Sequence, residues 1–187
     1  AAYLEKEKRF PAKAIRLNRT GNQDEDTWEG TVKERLGDGV QTMAVMSATI
    51  FGMPMVYSGQ EAALDHRLPL FEKEAIDWTE TPLSGLYTRL ASINEENTAL
   101  WNGESGGAAQ IVSKGGNERV IAYYRVKDGE SVLVMINASD EPQSLTVLGE
   151  RLDGFYEELF TGTEMEIGDG YTEELRPWGY RVYEIRK

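Results

Sequence analysis

A parallel α/β unit followed by an antiparallel β-sandwich or barrel is the fold class this sequence predicts, on three observations. Over roughly the first hundred residues, stretches with helical spacing alternate with short strand-like runs, the signature of βα units. Beyond a Gly/Ser-rich joint at 103–107 the chain breaks into short alternating segments separated by turn residues. Within that second region Asp128-Gly129 lies between two β-rich runs, a strong two-residue hairpin signal.

The elements follow in order. The opening AAYLEKEKRF has helical composition and stops at Pro11. Residues 14–19 alternate apolar and polar as a strand does and run into the polar cluster 20–26. Thr31-Val32-Lys33-Glu34 and Asp38-Gly39-Val40-Gln41 both fit a capping box, so a helix covers most of 32–51 or the shorter span from 38. From Gly39 onward that helix is apolar on nearly every side, which requires burial all round. The run 53–57 reads as a buried strand with Pro54 near its start, and it opens into Ser58-Gly59-Gln60-Glu61. A polar loop extends to about Thr79; Thr81-Pro82 then starts a helix whose inner stripe is Leu83, Leu86, Tyr87, Leu90 and Ile93. The strand-like segments beyond the joint are 109–113, 119–126, 131–137, 143–148, 154–160, 164–167, 171–175 and 179–186.

Composition narrows the function. The chain has 187 residues, 40% hydrophobic and 28% charged, which reads as soluble and globular. A net charge of -12 disfavours attraction to a phosphate backbone, so nucleic acid is not an expected partner. No apolar run has the length of a membrane span, and no membrane partner is expected. With no Cys and one His, neither a thiolate nor a multi-histidine metal site can form, and the acidic loops lack EF-hand spacing; no metal and no cofactor is expected. The chain does not begin with Met, so a removed leader or longer upstream segment is expected.

In parallel α/β folds reactive groups collect past the carboxyl ends of strands. Asn22-Gln23-Asp24-Glu25 and Gly59-Gln60-Glu61 occupy such positions. The runs N-Q-D-E-D-T-W-E-G, E-R-L-G-D, G-M-P-M-V-Y-S-G-Q-E and F-E-K-E-A-I-D-W resemble, in order and with similar spacing, the last two βα units of the alpha-amylase family, glycoside hydrolase family thirteen. R-P-W-G-Y-R-V-Y resembles the end of that family's β-sandwich C domain.

The resemblance implies the C-terminal portion of a (β/α)8 TIM barrel, with its seventh strand at 14–20, its eighth at 53–57 and helices at 38–51 and 82–96. Residues 1–104 would run from the end of helix six through helix eight of the catalytic barrel, and 105–187 would form the C domain. The implied chemistry is retaining cleavage or transfer of α-glucosidic bonds, for which a nucleophile and an acid/base must come from strands four and five. Those strands fall outside this sequence, so the resemblance implies an α-glucan-processing parent enzyme and an isolated chain without turnover. Asp24 matches the family's transition-state-stabilising Asp, and Asn22, Gln23 and Glu61 are candidate contacts to an α-glucan or maltooligosaccharide. Gln23 stands where the family usually has His, which weakens transition-state binding by about 1–3 kcal/mol if one polar contact is lost or misplaced. The alternative is a non-catalytic carbohydrate-binding or interaction module with an amylase-like surface. A two-strand barrel remnant leaves open edges, so the missing N-terminal barrel segment or self-association is expected to cover them.

Each site residue also has a plain structural reading. Asp24 fits an exposed loop acid or helix cap, Gln23 a surface amide, and Glu61 a brace of its loop through backbone or Arg67. Arg35 fits an ion pair with a nearby acid, and His66 a solvated or ion-paired loop side chain. Trp28, Tyr57 and Trp78 fit packing or loop anchoring better than sugar stacking, and Trp178 fits the sandwich core.

Overall fold

The computed structural model describes residue 11 and residues 14–186; the helix expected over the first ten residues lies outside them. Strand β1 (Leu17–Arg19) pairs in parallel with β2 (Met53–Met55), Asn18 opposite Pro54. Between them run a π-helical turn at Glu25–Glu29, helix α1 (Val32–Leu36), a 3-10 turn at Gly37–Gly39 and helix α2 (Val40–Thr49). Helix α3 (Pro82–Glu96) follows the long loop.

Of the two spans read, most of 32–51 or the shorter one from 38, the structure is nearer the second: a separate short helix precedes the 3-10 turn at Gly37–Gly39, and the long helix starts at Val40. Gly37 takes φ +54°, a left-handed conformation that suits glycine and ends α1 there. Thr31 forms the expected capping box, accepting from the Glu34 backbone N–H while the Glu34 carboxylate accepts from that of Thr31. Asp38 caps nothing, because the 3-10 turn delivers the chain into α2 directly from Gly39. Thr81 caps α3 reciprocally with Ser84, and Pro82 occupies its first turn.

The second region holds β3 (Gln110–Ile111), β4 (Val120–Lys127), β5 (Glu130–Asn137), β6 (Gln143–Thr146), β7 (Gly154–Glu158), β8 (Glu164–Ile167), β9 (Thr172–Leu175) and β10 (Tyr180–Ile185). Six of them form a sheet in the order β3-β4-β5-β10-β7-β8, and β6 with β9 forms a second, two-stranded sheet. The β4–β5 turn has Asp128 at φ +48° and Gly129 at φ +83°, as a type I′ hairpin needs.

The six-stranded sheet is buried on both faces, and its sequence shows it. β5 is apolar without a break from Val132 to Ile136, where a sheet wet on one side would alternate. Val132, Val134 and Ile136, with Tyr123 and Val182, pack on Ala44, Val45 and Ala48 of α2 and Leu86, Leu90 and Ile93 of α3. On the other face Leu133 and Met135, with Tyr124 and Tyr183, pack on Leu145 of β6 and Leu175 of β9. Each such fully buried side chain contributes about 1.5–3 kcal/mol. Helix α2 touches β1, β2, α3 and β5, which accounts for its lack of a polar face.

Arg125, in β4, is completely buried. Its Nε donates to Gly107 O (2.7 Å), Nη1 to Thr49 O (2.9 Å) and Ile50 O (3.3 Å), and Nη2 to Trp101 O (2.8 Å); the Phe51 ring lies 5.7 Å from the guanidinium. Burial pushes its pKa down to about 10, so it remains a cation at neutral pH. Two of those carbonyls close the C-terminus of α2, where the helix dipole favours positive charge.

Arg125→Met would leave these carbonyls buried without a donor. A loss of about 3–4 kcal/mol in urea unfolding is expected; a loss below about 1 kcal/mol would contradict this role.

Candidate functional site

The loops that leave β1 and β2 meet at the carboxyl ends of those strands. Leaving β1, Asn22 Oδ1 accepts from the Glu25 backbone N–H (2.8 Å) and Asn22 O from that of Asp26 (2.9 Å), which turns the chain sharply into the π-helical segment. Arg35, from α1, holds this turn from below. It donates to Asp26 Oδ1 (3.0 Å), Thr20 O (2.9 Å) and Gly30 O (2.7 Å), the ion pair expected of it. Asp26 is buried, and burial raises its pKa more than Arg35 lowers it.

Gln60 joins the two loops. Its Nε2 donates to the Thr20 hydroxyl (3.0 Å) at the end of β1, while its Oε1 accepts from the Tyr57 backbone N–H (3.1 Å) just after β2. Thr81 and Ser84 hydroxyls donate to the Glu61 carbonyl at 3.0 and 2.8 Å, fastening the same loop to the start of α3. Burial raises the pKa of Tyr87, a hydrogen bond to Thr20 opposes that shift, and the charge of Glu61 adds to it.

On this frame Gln23 and Asp24 are exposed, and neither side chain pairs with another described residue. Asp24 precedes the π-helical turn without capping it, so its carboxylate is free to accept hydroxyl donors. Asn22 is committed to the turn. Glu61 is half-buried, with Oε2 shielded from solvent and without a partner among the described residues. Arg67, one of its expected partners, instead binds Glu34 (Nε to Oε2, 2.9 Å). The two loops bring Asn22, Gln23 and Asp24 to the same end of the sheet as Glu61. A cavity of about 380 Å³ beneath them is walled by Asp26, Ser58, Gln60, Leu64, Leu83 and Tyr87 among others, and neither Asp24 nor Glu61 lines it.

Other readings fare differently. His66 pairs with Glu74 (2.7 Å) on the surface, as expected. Trp28 and Trp78 are 68% and 58% exposed, so packing does not hold them. Trp178 is half-buried at the edge of the sandwich rather than within its core. Gln60, Thr20 and Asp26 organise the site yet were not singled out by sequence; Gln60 stood inside the quoted G-Q-E run, but only the fold reveals its partner across the strands. Among the described residues no cluster of three or more His, Cys, Asp or Glu is placed to hold a metal ion, and no helix is long and apolar enough to cross a membrane.

Removing Arg35 takes away what lowers the Asp26 pKa. In Arg35→Ala the Asp26 carboxyl should titrate higher still, read by side-chain NMR. Because the folded value already exceeds the ordinary 3.8, this group's stabilising contribution is present below 3.8 and is lost as pH rises through the folded value. Asp26→Asn should flatten that leg of the stability profile; an unchanged profile would contradict the assignment.

Comparison with known proteins places this geometry. Residues 112–182 match the model of the maltogenic amylase C-terminal domain. A 1,4-alpha-glucan branching enzyme, GlgB, of Methylobacillus flagellatus is 27% identical over 172 residues, covering 82% of this chain and 22% of that protein. The maltogenic alpha-amylase AmyB of Thermotoga neapolitana superposes over 100% of this chain and 44% of its own with a TM-score of 0.83 at 18% identity. The alpha-amylase of Geobacillus thermoleovorans, solved with acarbose, does so over 100% and 42% with a TM-score of 0.76 at 17% identity. The chain thus spans less than half of these structures and about a fifth of the branching enzyme. Its parallel pair with flanking helices and its antiparallel sandwich have the fold of the C-terminal portion of a (β/α)8 barrel and the domain that follows it, as in these amylases, and within that sandwich residues 112–182 match the amylase C-terminal domain.

Proposed function

We propose that this chain serves as the C-terminal part of an α-glucan-processing glycoside hydrolase, residues 1–104 completing the catalytic barrel and 105–187 forming its C domain. The observation that carries the reading is the Gln60–Thr20 hydrogen bond, which brings the Asp24 loop and the Glu61 loop together at the carboxyl ends of two parallel strands. An exposed, unpaired carboxylate there can accept two sugar hydroxyls and oppose the positive charge that develops on the ring in retaining cleavage or transfer. The chemistry further requires a nucleophile and an acid/base, and neither is assigned to any carboxylate of this chain. A partner segment supplying strands four and five would complete the site, and the alone-standing chain would be inactive. That the Geobacillus amylase was solved with acarbose supports an oligosaccharide as ligand.

Purified alone, the 187-residue chain should release no reducing sugar from maltooligosaccharides; robust turnover would overturn the reading. In a protein carrying the whole barrel, Asp24→Asn should lower kcat by about 10²–10³ with the fold intact. Unchanged kcat in that variant would remove Asp24 from the chemistry.

A further inference from the structure

A second polar-aromatic site lies at the seam where α2 meets the β9–β10 turn; Asp38 and Gln41 stand between it and the cavity beneath the strand-end loops, lining both. Trp178 sits in that turn with φ +52°, a left-handed conformation that is rare for a bulky side chain. The surroundings hold it there firmly. Its backbone N–H donates to Ser139 O (2.8 Å), its carbonyl accepts from the Thr42 hydroxyl of α2, and Gly179 N donates back to Arg176 O (2.8 Å). The indole lies against Gly39 so closely that a Cβ on that glycine would come within 2.8 Å of the ring. One part of the ring is thus pinned on the helix start, and the half-buried remainder helps wall an open cavity of about 280 Å³.

The cavity is lined by Asp38, Gln41, Arg176, Pro177, Trp178 and Tyr180. Tyr180 is fixed by an edge-on contact with Phe160, ring centroids 5.3 Å apart. Gln41 and Arg176 are otherwise uncommitted: among the described residues neither side chain makes a hydrogen bond or ion pair. Asp38 is engaged only by exposed Lys33 at 3.3 Å.

This chemistry selects a ligand class. One carboxylate and one guanidinium leave the cavity close to neutral, which favours neither an anion nor a cation, and a chain of net charge -12 repels acidic partners in general. Asp38 accepts, Arg176 donates and the Gln41 amide does both, a set that suits hydroxyls, which are donors and acceptors at once. The indole and the proline ring supply an apolar platform for C–H faces. We propose that this seam is a saccharide-binding site that takes a single pyranose ring of a neutral glycan, with Trp178 as platform and Arg176 and Gln41 as hydroxyl contacts. It needs neither Asp24 nor a completed barrel, so it stands or falls separately from the reading of the strand-end loops.

The test is an NMR titration of the 187-residue chain with maltotriose, following the indole N–H signals of its four tryptophans together with the backbone amides. Wild type should show the Trp178 indole and the amides around 38–41 and 176–180 shifting together with a Kd of about 1 mM. Arg176→Ala with Gln41→Ala, both at exposed or half-exposed positions, should weaken those shifts at least about tenfold at unchanged thermal stability. Asp24→Ala should leave them as they are. Absence of any Trp178 shift, or shifts that persist undiminished in the double variant, would overturn the site. Shifts confined to residues 22–24 and 60–61 would likewise overturn it, while leaving the strand-end reading standing.

Discussion

A buried cation with no carboxylate partner among the described residues is the constraint on which the arrangement of this molecule depends. Among the described residues the Arg125 guanidinium is met by carbonyl dipoles and the Phe51 ring, and those carbonyls come from three separated stretches: the end of α2, Trp101 after α3, and Gly107 ahead of β3. Desolvating such a charge is tolerable only when every donor is matched. The sandwich strand that carries Arg125 can therefore take its place only if the helical layer is already in register, and the helical layer gains its C-terminal cap only from the sandwich.

Other contacts reinforce this mutual dependence at points spread along the seam. The Thr49 and Tyr123 hydroxyls meet at 2.6 Å beside Arg125, Arg89 of α3 donates twice to Leu159 O beyond β7, and Thr42 reaches the carbonyl of Trp178. Because α2 ends at Thr49 and β2 begins at Met53, anything that fixes the end of α2 also fixes where β2 starts. The position of Gln60 follows from β2, and the Gln60–Thr20 bond then sets the Asp24 loop. The sandwich is thus joined to the candidate site by a short chain of packed elements, although none of its residues lies there.

Much of this was legible in the sequence, for reasons that individual residues make plain. The hairpin at Asp128-Gly129 and the caps at Thr31 and Thr81 are local chemistry, decided within four residues, and so they can be read without knowing the fold. The all-round apolar character of α2 announced burial but could not say against what. The capping-box pattern at Asp38 allowed a new helix to start there, but the apolar period continues across Gly37, and the backbone angle is what decides for the interruption. At the site, Asp24 stood out by its motif and is indeed exposed at a strand end, but its neighbours' roles were not readable. Glu34 was as available to Arg67 as Glu61 was, and the choice between them depends on how the 62–80 loop folds back, with Thr27 holding Leu68 O at 3.0 Å. Trp28 and Trp78 show the limit from the other side: large aromatic residues suggest packing by their cost of exposure, yet both stand in solvent.

The Gly/Ser-rich joint carries the same lesson into mechanics. By composition, 103–107 reads as a flexible link between two bodies, since Gly and Ser resist ordering. In the fold its glycines serve close approach instead. A Cβ on Gly106 would fall 1.7 Å from Trp101 O, and one on Gly107 would fall 2.6 Å from Val126 O. Gly107 N donates to Ala99 O (3.0 Å), and its carbonyl is among the four that hold Arg125. Larger residues here would push the chain off the sandwich edge and strip the buried guanidinium of acceptors at the same time. The joint is accordingly tied into both layers: relative displacement of the helical layer and the sandwich would have to break the Arg125 bonds first, at a cost comparable to a large fraction of a typical domain's whole stability.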